Sequence, residues 1–124
     1  GTFEIENLYF RKDRIEMPLT ELKCIPIKKG MGWCNDIRFP KKYNKLFKIE
    51  NKIKHEKLKR KDYKYDLLIP IKYNFKKPVT GLGSCIFIHL TKDYKPTAGC
   101  IALNEKDFLI MLKLIKKNSK IKIF

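Results

Sequence analysis

The stretch "SCIFIHLTKDYKPTAGCIAL", residues 84–103, contains two apolar runs joined by a short polar loop. Side chains alternate within the first run, so we predict a strand with Cys85, Phe87 and His89 on one face and only aliphatic residues on the other. The second run, "CIAL", follows a Thr-Ala-Gly turn and leads toward a helix start. One imidazole and one thiol, at His89 and Cys100, therefore stand at the two ends of the loop.

A helix is predicted over about residues 105–117. Asn104 is a favourable N-cap, and Glu105 and Asp107 place negative charge in the first turn, where the helix dipole stabilises it. Apolar residues recur at helical spacing on the face expected to pack on a sheet: Phe108, Met111, Leu112 and Ile115. After this helix, "KIKIF" predicts a last strand.

A second strong strand is predicted at "YKYDLLIPIKYN", residues 63–74, from its period of two. Six side chains are expected to share one face: Tyr63, Tyr65, Leu67, Ile69, Ile71 and Tyr73. Pro70 lacks a backbone N–H, which indicates that part of this strand has no partner on one side. Residues 2–10 also alternate loosely and predict a strand, whereas residues 20–50 are irregular and contain an exposed-looking "GMGWCND".

These patterns together predict a mainly β protein with one clear helix. A length of 124 residues with 44% hydrophobic content suits one folded domain, so we take residues 1–124 as a single unit. No apolar run approaches the ~20 residues that a membrane-spanning helix needs. The sequence therefore predicts no transmembrane segment.

The charge balance is strongly basic, with 29 Lys and Arg residues against 13 Asp and Glu residues. Such a charge raises the expectation of an anionic partner. The four arginines are Arg11, Arg14, Arg38 and Arg60, so the other 25 basic residues are lysines, spread along the whole chain. Arginine is favoured for bidentate recognition of phosphates and bases, so we favour a solvated lysine surface over nucleic-acid binding. A non-catalytic basic module that binds an anionic polymer remains an alternative.

The four cysteines are too few for a disulfide scaffold in a chain of this length. No CxxC pair occurs, and the two histidines give no ligand spacing for zinc. A bridge between Cys24 and Cys34 stays open if the protein is exported. Cys85 is expected to fill core space, although it shares a face with His89.

Cys100 and His89 have the chemistry of a nucleophile and its base. A catalytic cysteine needs a thiolate, a base or cation beside it, and donors for a developing oxyanion. Gly99 permits a tight turn, so that amide groups beside Cys100 can point toward a substrate carbonyl, and Thr97 can hydrogen-bond in the loop or to substrate. From spacing alone, a small core cysteine and a structural histidine remain the alternative.

The segments "GSCIFIHL" and "KPTAGCIAL" resemble the signature of the YkuD-type L,D-transpeptidase catalytic domain. That signature has a histidine at the end of a strand, then Ser or Thr, a variable residue, Gly and Cys. The opening "GTF" resembles the tail of a family segment. The pair "GWCND" and "YN" and the segments "HEKLKRKDYKYDL" and "IPIKYN" resemble a shorter-loop bacterial subgroup of the family. The resemblance therefore covers nearly the whole chain.

The resemblance implies a β-barrel or sandwich fold and a cysteine acyl-transfer enzyme that acts on peptidoglycan stem peptides. Carried onto matching positions, Cys100 is the nucleophile and His89 its base, while Thr97, Ala98 and Gly99 belong to the oxyanion and substrate-binding region. The implied product is a 3→3 cross-link formed through a thioester. If water attacks the thioester, the enzyme is an L,D-carboxypeptidase instead.

Other features of the family are expectations of the same kind. No metal or organic cofactor is implied, the location is the cell envelope or periplasm, and we expect a monomer. Trp33, Tyr43 and Asn44, in the irregular region, are expected either to line the cleft or to pack the loop. The opening "GTF" matches the tail of a family segment that further strands normally precede, so we expect N-terminal strands before it.

The same comparison shows three departures from the family pattern. Ala98 stands where members frequently have histidine, and Ala102 stands where many have Arg or Asn, so substrate contacts at these positions are in doubt. The loop between His89 and Thr97 is also shorter than in the best-known members. A catalytic Cys100 is expected to have a depressed pKa and to be labelled faster than the other three cysteines.

Overall fold

The computed structural model describes residues 1–92 and 100–123. The strands in this part of the chain are β1 (Thr2–Glu4), β2 (Leu8–Phe10), β3 (Cys24–Pro26), β4 (Met31–Cys34), β5 (Leu46–Lys48), β6 (His55–Lys57), β7 (Leu67–Pro70), β8 (Phe87–Leu90), β9 (Ile101–Leu103) and β10 (Lys120–Lys122). Helix α1 spans Glu105–Leu114. The predicted fold class, mainly β with one helix, is confirmed. The described helix is too short to cross a membrane.

A five-stranded sheet with the order β3-β2-β7-β8-β9 occupies the centre of the fold. Its outer pairs, β2–β3 and β8–β9, are parallel, while its inner pairs are antiparallel. A second sheet has the order β5-β4-β6, and β1 pairs with β10 in a third. The parallel β8–β9 pair matters most, because the loop that crosses between these strands connects His89 to Cys100.

Two separate cores lie on the two faces of the central sheet. The first core lies on the face that carries α1, and its buried members are Ile5, Leu8, Phe10, Leu22, Leu67, Ile69, Ile71, Ile88, Leu90, Phe108 and Leu112. The second core lies against the three-stranded sheet, and its buried members are Tyr9, Ile27, Trp33, Leu58, Tyr65, Leu68 and Phe87. The fold is therefore layered as helix, sheet and sheet, as expected for a β-sandwich.

The alternation predicted for β8 is confirmed by this division. Ile88 and Leu90 enter the first core under the helix. Phe87 enters the second core, and Cys85 packs against it from the same side. The side of the sheet that faces away from α1 therefore carries the chemistry-bearing residues of this strand.

Helix α1 begins as predicted but ends earlier. The Asn104 Oδ1 accepts a hydrogen bond of 2.8 Å from the Asp107 backbone N–H, which satisfies one free donor of the first turn. The prediction that the helix continues to residue 117 is wrong, because Ile115 has extended φ and ψ angles of −77° and 155°. The chain then turns, with the Ser119 N–H bonded to the Lys116 carbonyl at 3.0 Å.

The strand predicted over residues 63–74 is also shorter in the structure. The Asp66 N–H bonds to the Tyr63 carbonyl at 2.9 Å, so the chain turns just before β7. Leu67 and Ile69 keep the predicted face, but Tyr65 is directed into the second core. A single turn thus moves Tyr65 to the side of the sheet that holds His89.

The structure differs from the predictions for residues 2–10 and 20–50, because the strands in both ranges are short. The first range forms two short strands, β1 and β2, that join different sheets. The second range, expected to be irregular, contains β3, β4 and β5. These strands have three or four residues each, which is too short for a periodic pattern to be detected in the sequence.

Each of the four arginines forms an ion pair with an aspartate of its own chain. The pairs are Arg11–Asp13 at 2.7 Å, Arg14–Asp66 at 3.0 Å, Arg38–Asp36 at 2.6 Å and Arg60–Asp62 at 2.7 Å. Arg11 also donates to the Arg60 carbonyl at 2.7 Å, and Arg14 to the Lys61 and Asp62 carbonyls. Arg11 and Arg14 therefore hold the segment before β7 in place. Since each arginine is paired, the surface charge comes from lysine.

Candidate active site

The parallel pairing of β8 and β9 brings His89 and Cys100 to one face of the central sheet. In the register, Ile88 lies opposite Ile101 and His89 lies opposite Ala102. Cys100 immediately precedes β9 and packs against the second core. The His89 ring contacts the same core through Tyr65, with ring centroids 5.8 Å apart and an interplanar angle of 66°. Imidazole and thiol thus lie on one side, about one pleat apart.

The hydrogen bond of His89 decides which ring nitrogen can act as a base. The ring is buried, and its Nδ1 lies 2.9 Å from the Leu90 carbonyl oxygen. A carbonyl oxygen only accepts, so Nδ1 carries the hydrogen. In the neutral ring the lone pair is therefore on Nε2, and Nε2 is the nitrogen available to accept a proton.

The Cys100 thiol is protonated more firmly than the sequence predicted. Its Sγ donates to the Cys85 carbonyl oxygen at 3.3 Å. Burial raises the pKa of Cys100, a hydrogen bond from the Phe87 backbone opposes this rise, and the negative charge of Glu56 adds to it. The expected depressed pKa is therefore wrong for this arrangement, because desolvation outweighs the hydrogen bond from the Phe87 backbone.

A thiol with a raised pKa is neutral at pH 7, so its reactivity depends on proton removal in the reaction itself. General-base catalysis by a neighbouring imidazole performs this task without a preformed thiolate. Nε2 of His89 is the available lone pair on this face. The arrangement can therefore activate Cys100 once a substrate carbonyl is in place.

Cys85 is part of the support for Cys100. Its backbone has a positive φ of 59°, and this turn presents the Cys85 carbonyl to the Cys100 thiol. Its own Sγ lies 3.7 Å from the Trp33 carbonyl oxygen, and burial raises the pKa of the Cys85 thiol to about 12. Such a thiol is inert, which fits the space-filling role expected from the sequence.

Trp33, Tyr43 and Asn44 are buried, with exposed fractions of 3%, 4% and 3%. The indole N–H donates to the Asn44 Oδ1 at 2.8 Å, and the Asn44 amide donates to the carbonyls of Tyr73 and Asn74. The Tyr43 hydroxyl accepts from a backbone N–H at 3.2 Å. This geometry favours the loop-packing role over the cleft-lining role, since these polar groups are used inside the protein.

We expect Asn44→Ala to lower the free energy of unfolding by about 3 kcal/mol, because it leaves the Trp33 indole N–H buried without its acceptor and places alanine at a positive φ. Urea denaturation followed by tryptophan fluorescence measures the change. Asn51→Ala, at an exposed position, is the matched control and should be nearly neutral. Unchanged stability with reduced turnover would instead support a cleft-lining role.

Three residues that the sequence analysis did not select as site residues lie beside this pair. The Tyr65 hydroxyl donates to the Glu56 Oε1 at 2.9 Å, and the Arg60 guanidinium lies 5.0 Å from the centre of the Tyr65 ring. Burial raises the pKa of Tyr65 above its ordinary value, so its phenol stays protonated. The available signal was the segment "HEKLKRKDYKYDL", which contains all three residues but was used only for the family resemblance and for the start of a strand.

The predicted oxyanion and substrate-binding residues Thr97, Ala98 and Gly99 lie outside the described residues. Ala102 lies opposite His89 across the parallel pair, so its small side chain leaves space beside the imidazole. Cys24 and Cys34 are free thiols in different environments, Cys24 against the first core and Cys34 fully buried. Within residues 1–92 and 100–123, no cluster of three metal-ligating side chains occurs.

Comparison with known proteins gives one match. The family model of the YkuD L,D-transpeptidase catalytic domain matches residues 1–123. Neither the curated proteins nor the solved structures contain a match to the chain.

Proposed function

The chain belongs to the YkuD family of L,D-transpeptidase catalytic domains, whose members act on peptidoglycan, and from this premise we propose that it cross-links stem peptides through a Cys100 thioester. The donor is a tetrapeptide stem that loses its terminal D-alanine. The acceptor is an amine on a second stem, so that the product is a 3→3 cross-link. The substrate implies a location in the cell envelope or periplasm.

The single observation that supports this proposal is the register of β8 and β9. It brings the Cys100 thiol and the His89 imidazole to one face, next to a core that excludes water from their inner side. A nucleophile and a base on neighbouring strands is the arrangement that acyl transfer requires. A space-filling cysteine would not need an imidazole on the same face whose Nδ1 is held by the Leu90 carbonyl, so that Nε2 is the nitrogen with the lone pair.

The first half-reaction forms the thioester. Nε2 of His89 takes the proton from Cys100 as Sγ attacks the carbonyl carbon of the third stem residue. We assign stabilisation of the tetrahedral oxyanion to backbone N–H groups of the segment that the sequence predicts for this role, Thr97, Ala98 and Gly99. The C–N bond then breaks, and the imidazolium returns its proton to the amine of the departing D-alanine.

The second half-reaction releases the acyl group. A neutral amine attacks the thioester carbonyl, and the C–S bond breaks. One of the two amine protons stays on the new amide nitrogen, and His89 transfers the other to the sulfur. If water attacks, the product is a free tripeptide and the enzyme is an L,D-carboxypeptidase. The two activities share the first half-reaction and differ only in the group that enters the site.

Mass spectrometry of the protein incubated with a disaccharide tetrapeptide tests the proposal. We expect a covalent adduct that peptide mapping assigns to Cys100, with release of D-alanine, and a similar adduct with a carbapenem. Cys24→Ala should retain the adduct, because Cys24 packs on the opposite side of the sheet. Absence of an adduct on the folded protein, or an adduct spread over all four cysteines, would contradict the proposal and favour the basic binding module.

A further inference from the structure

We propose that Glu56 is the contact for the acceptor ammonium and sets the partition between cross-linking and hydrolysis. This inference rests on the proposed function, because it concerns the second half-reaction at the same thiol. It assigns to β6 and the residues after it a subsite for an acceptor that carries an ammonium group near carboxylate groups.

Glu56 is held in one orientation beside the reacting pair. Its Oε1 accepts from the Tyr65 hydroxyl at 2.9 Å, and the Tyr65 ring packs edge-on against His89. Arg60 lies 3.8 Å from the same carboxylate and covers the Tyr65 ring. Tyr65 thus connects the carboxylate to the imidazole through one rigid ring.

Glu56 also borders an open cavity of about 650 Å³. Its lining residues are His55, Glu56, Lys57, Lys59, Arg60, Lys61 and Asp62. Four of the seven are Lys or Arg, so most of the wall attracts carboxylates. The Glu56 side chain is 37% exposed and lines this cavity. A ligand with carboxylates along the wall and an ammonium at Glu56 matches this distribution of charge.

The charge of Glu56 disfavours the first half-reaction and favours the second. Its field raises the pKa of Cys100 and so opposes formation of the thiolate. In the thioester the sulfur is neutral, so this repulsion is gone when the acceptor arrives. The acceptor approaches as an ammonium ion, which the Glu56 carboxylate attracts, whereas uncharged water gains no such attraction. The ammonium then gives one proton to solvent, and the neutral amine attacks the thioester. A carboxylate at this position therefore helps to bind the acceptor ammonium and does not help to activate the Cys100 thiol.

The partition experiment uses a donor tetrapeptide whose side-chain amine is acetylated, so that it cannot act as acceptor, and a tripeptide acceptor with a free side-chain ammonium. Products are measured by liquid chromatography and mass spectrometry as the ratio of cross-linked dimer to hydrolysed donor. In Glu56→Gln we expect this ratio to fall by about tenfold, the size of one lost charge-assisted contact. The rate of thioester formation should be unchanged or higher, because the pKa of Cys100 is no longer raised by this charge.

Two further variants separate charge from packing. Glu50→Gln removes the same charge from a residue that pairs with Lys42 and does not line the cavity, and its ratio should equal that of the wild type. Glu56→Asp restores the charge on a shorter side chain and should recover part of the ratio. A packing role predicts the opposite order, with the isosteric Gln variant close to the wild type and the Asp variant impaired.

Ionic strength provides an independent measurement. Raising salt should lower the dimer ratio of the wild type and leave that of Glu56→Gln almost unchanged, because screening acts on the contact that the variant has lost. If the wild type forms a thioester and dimer, and Glu56→Gln gives the same ratio of dimer to hydrolysed donor, the subsite inference is overturned and the proposed function stands. If the wild type forms no thioester, the proposed function itself fails.

Discussion

Cys100→Ala is expected to lower D-alanine release from a tetrapeptide stem by at least about 10,000-fold, because the variant cannot form the thioester on which both half-reactions depend. The change deletes one sulfur from a half-buried position that contacts the second core only at its edge. The fold should therefore survive. Release of D-alanine under single-turnover conditions, with circular dichroism as the check on folding, measures the effect.

Cys24→Ala is the matched control for this prediction. It removes the same atom from another half-buried thiol, one that packs against the first core on the far side of the sheet. Its turnover should stay within about twofold of the wild type. If Cys100→Ala retained more than a small fraction of wild-type turnover while Cys24→Ala did not, Cys100 would not be the nucleophile.

His89→Asn is expected to slow thioester formation by about 100- to 10,000-fold at neutral pH, the usual contribution of a general base. Asparagine retains a side-chain N–H donor near the position of Nδ1, which can still bond to the Leu90 carbonyl. The variant lacks the Nε2 lone pair. The burst rate of acylation, followed by mass spectrometry, isolates the step concerned.

The deficit of His89→Asn should shrink as pH rises. Burial raises the pKa of Cys100, so without the base the reaction depends on the small thiolate fraction, which grows with pH up to that raised pKa. We expect the variant's acylation rate to increase about tenfold per pH unit between about pH 7 and pH 9. The wild type should be much less sensitive in this range, since its base removes the proton.

His55→Asn is the matched control for the histidine. The Nδ1 of His55 also contacts a backbone carbonyl, that of Ile53 at 2.6 Å, but its ring packs on Phe47, away from the thiol. This variant should acylate at the wild-type rate at every pH. Parallel pH profiles for His89→Asn and the wild type would argue against a general-base role for His89.

Features that depend on near neighbours in the chain were predictable. The cap at Asn104 and the alternation of Cys85, Phe87 and His89 need only local geometry, and both are confirmed. The family resemblance could also be found from the sequence, because it rests on the order of residues within short segments. The end of the helix was misplaced, because Ile115 leaves the helix for an extended conformation that its sequence neighbours do not demand.

Features that depend on distant segments were not predictable. Tyr65 was expected on the face of Leu67, but a turn held by Arg11 and Arg14 moves it beside His89. Glu56 was overlooked because its segment has the composition of a solvated surface. The direction of the Cys100 pKa shift was wrong for the same reason, since desolvation depends on how many residues from other strands surround the thiol.

The amino-acid sequence by itself determined the candidate reacting groups, the strand that carries His89, the helix start and the family. These properties follow from residue chemistry and from backbone preferences that act over a few residues. Only the tertiary structure decided that Tyr65 and Glu56 accompany the Cys100–His89 pair, that Trp33 and Asn44 are packed inside, and that burial raises the pKa of Cys100. The burial of a side chain and the electrostatic potential at it depend on every strand that surrounds it, and these strands can be far apart along the chain.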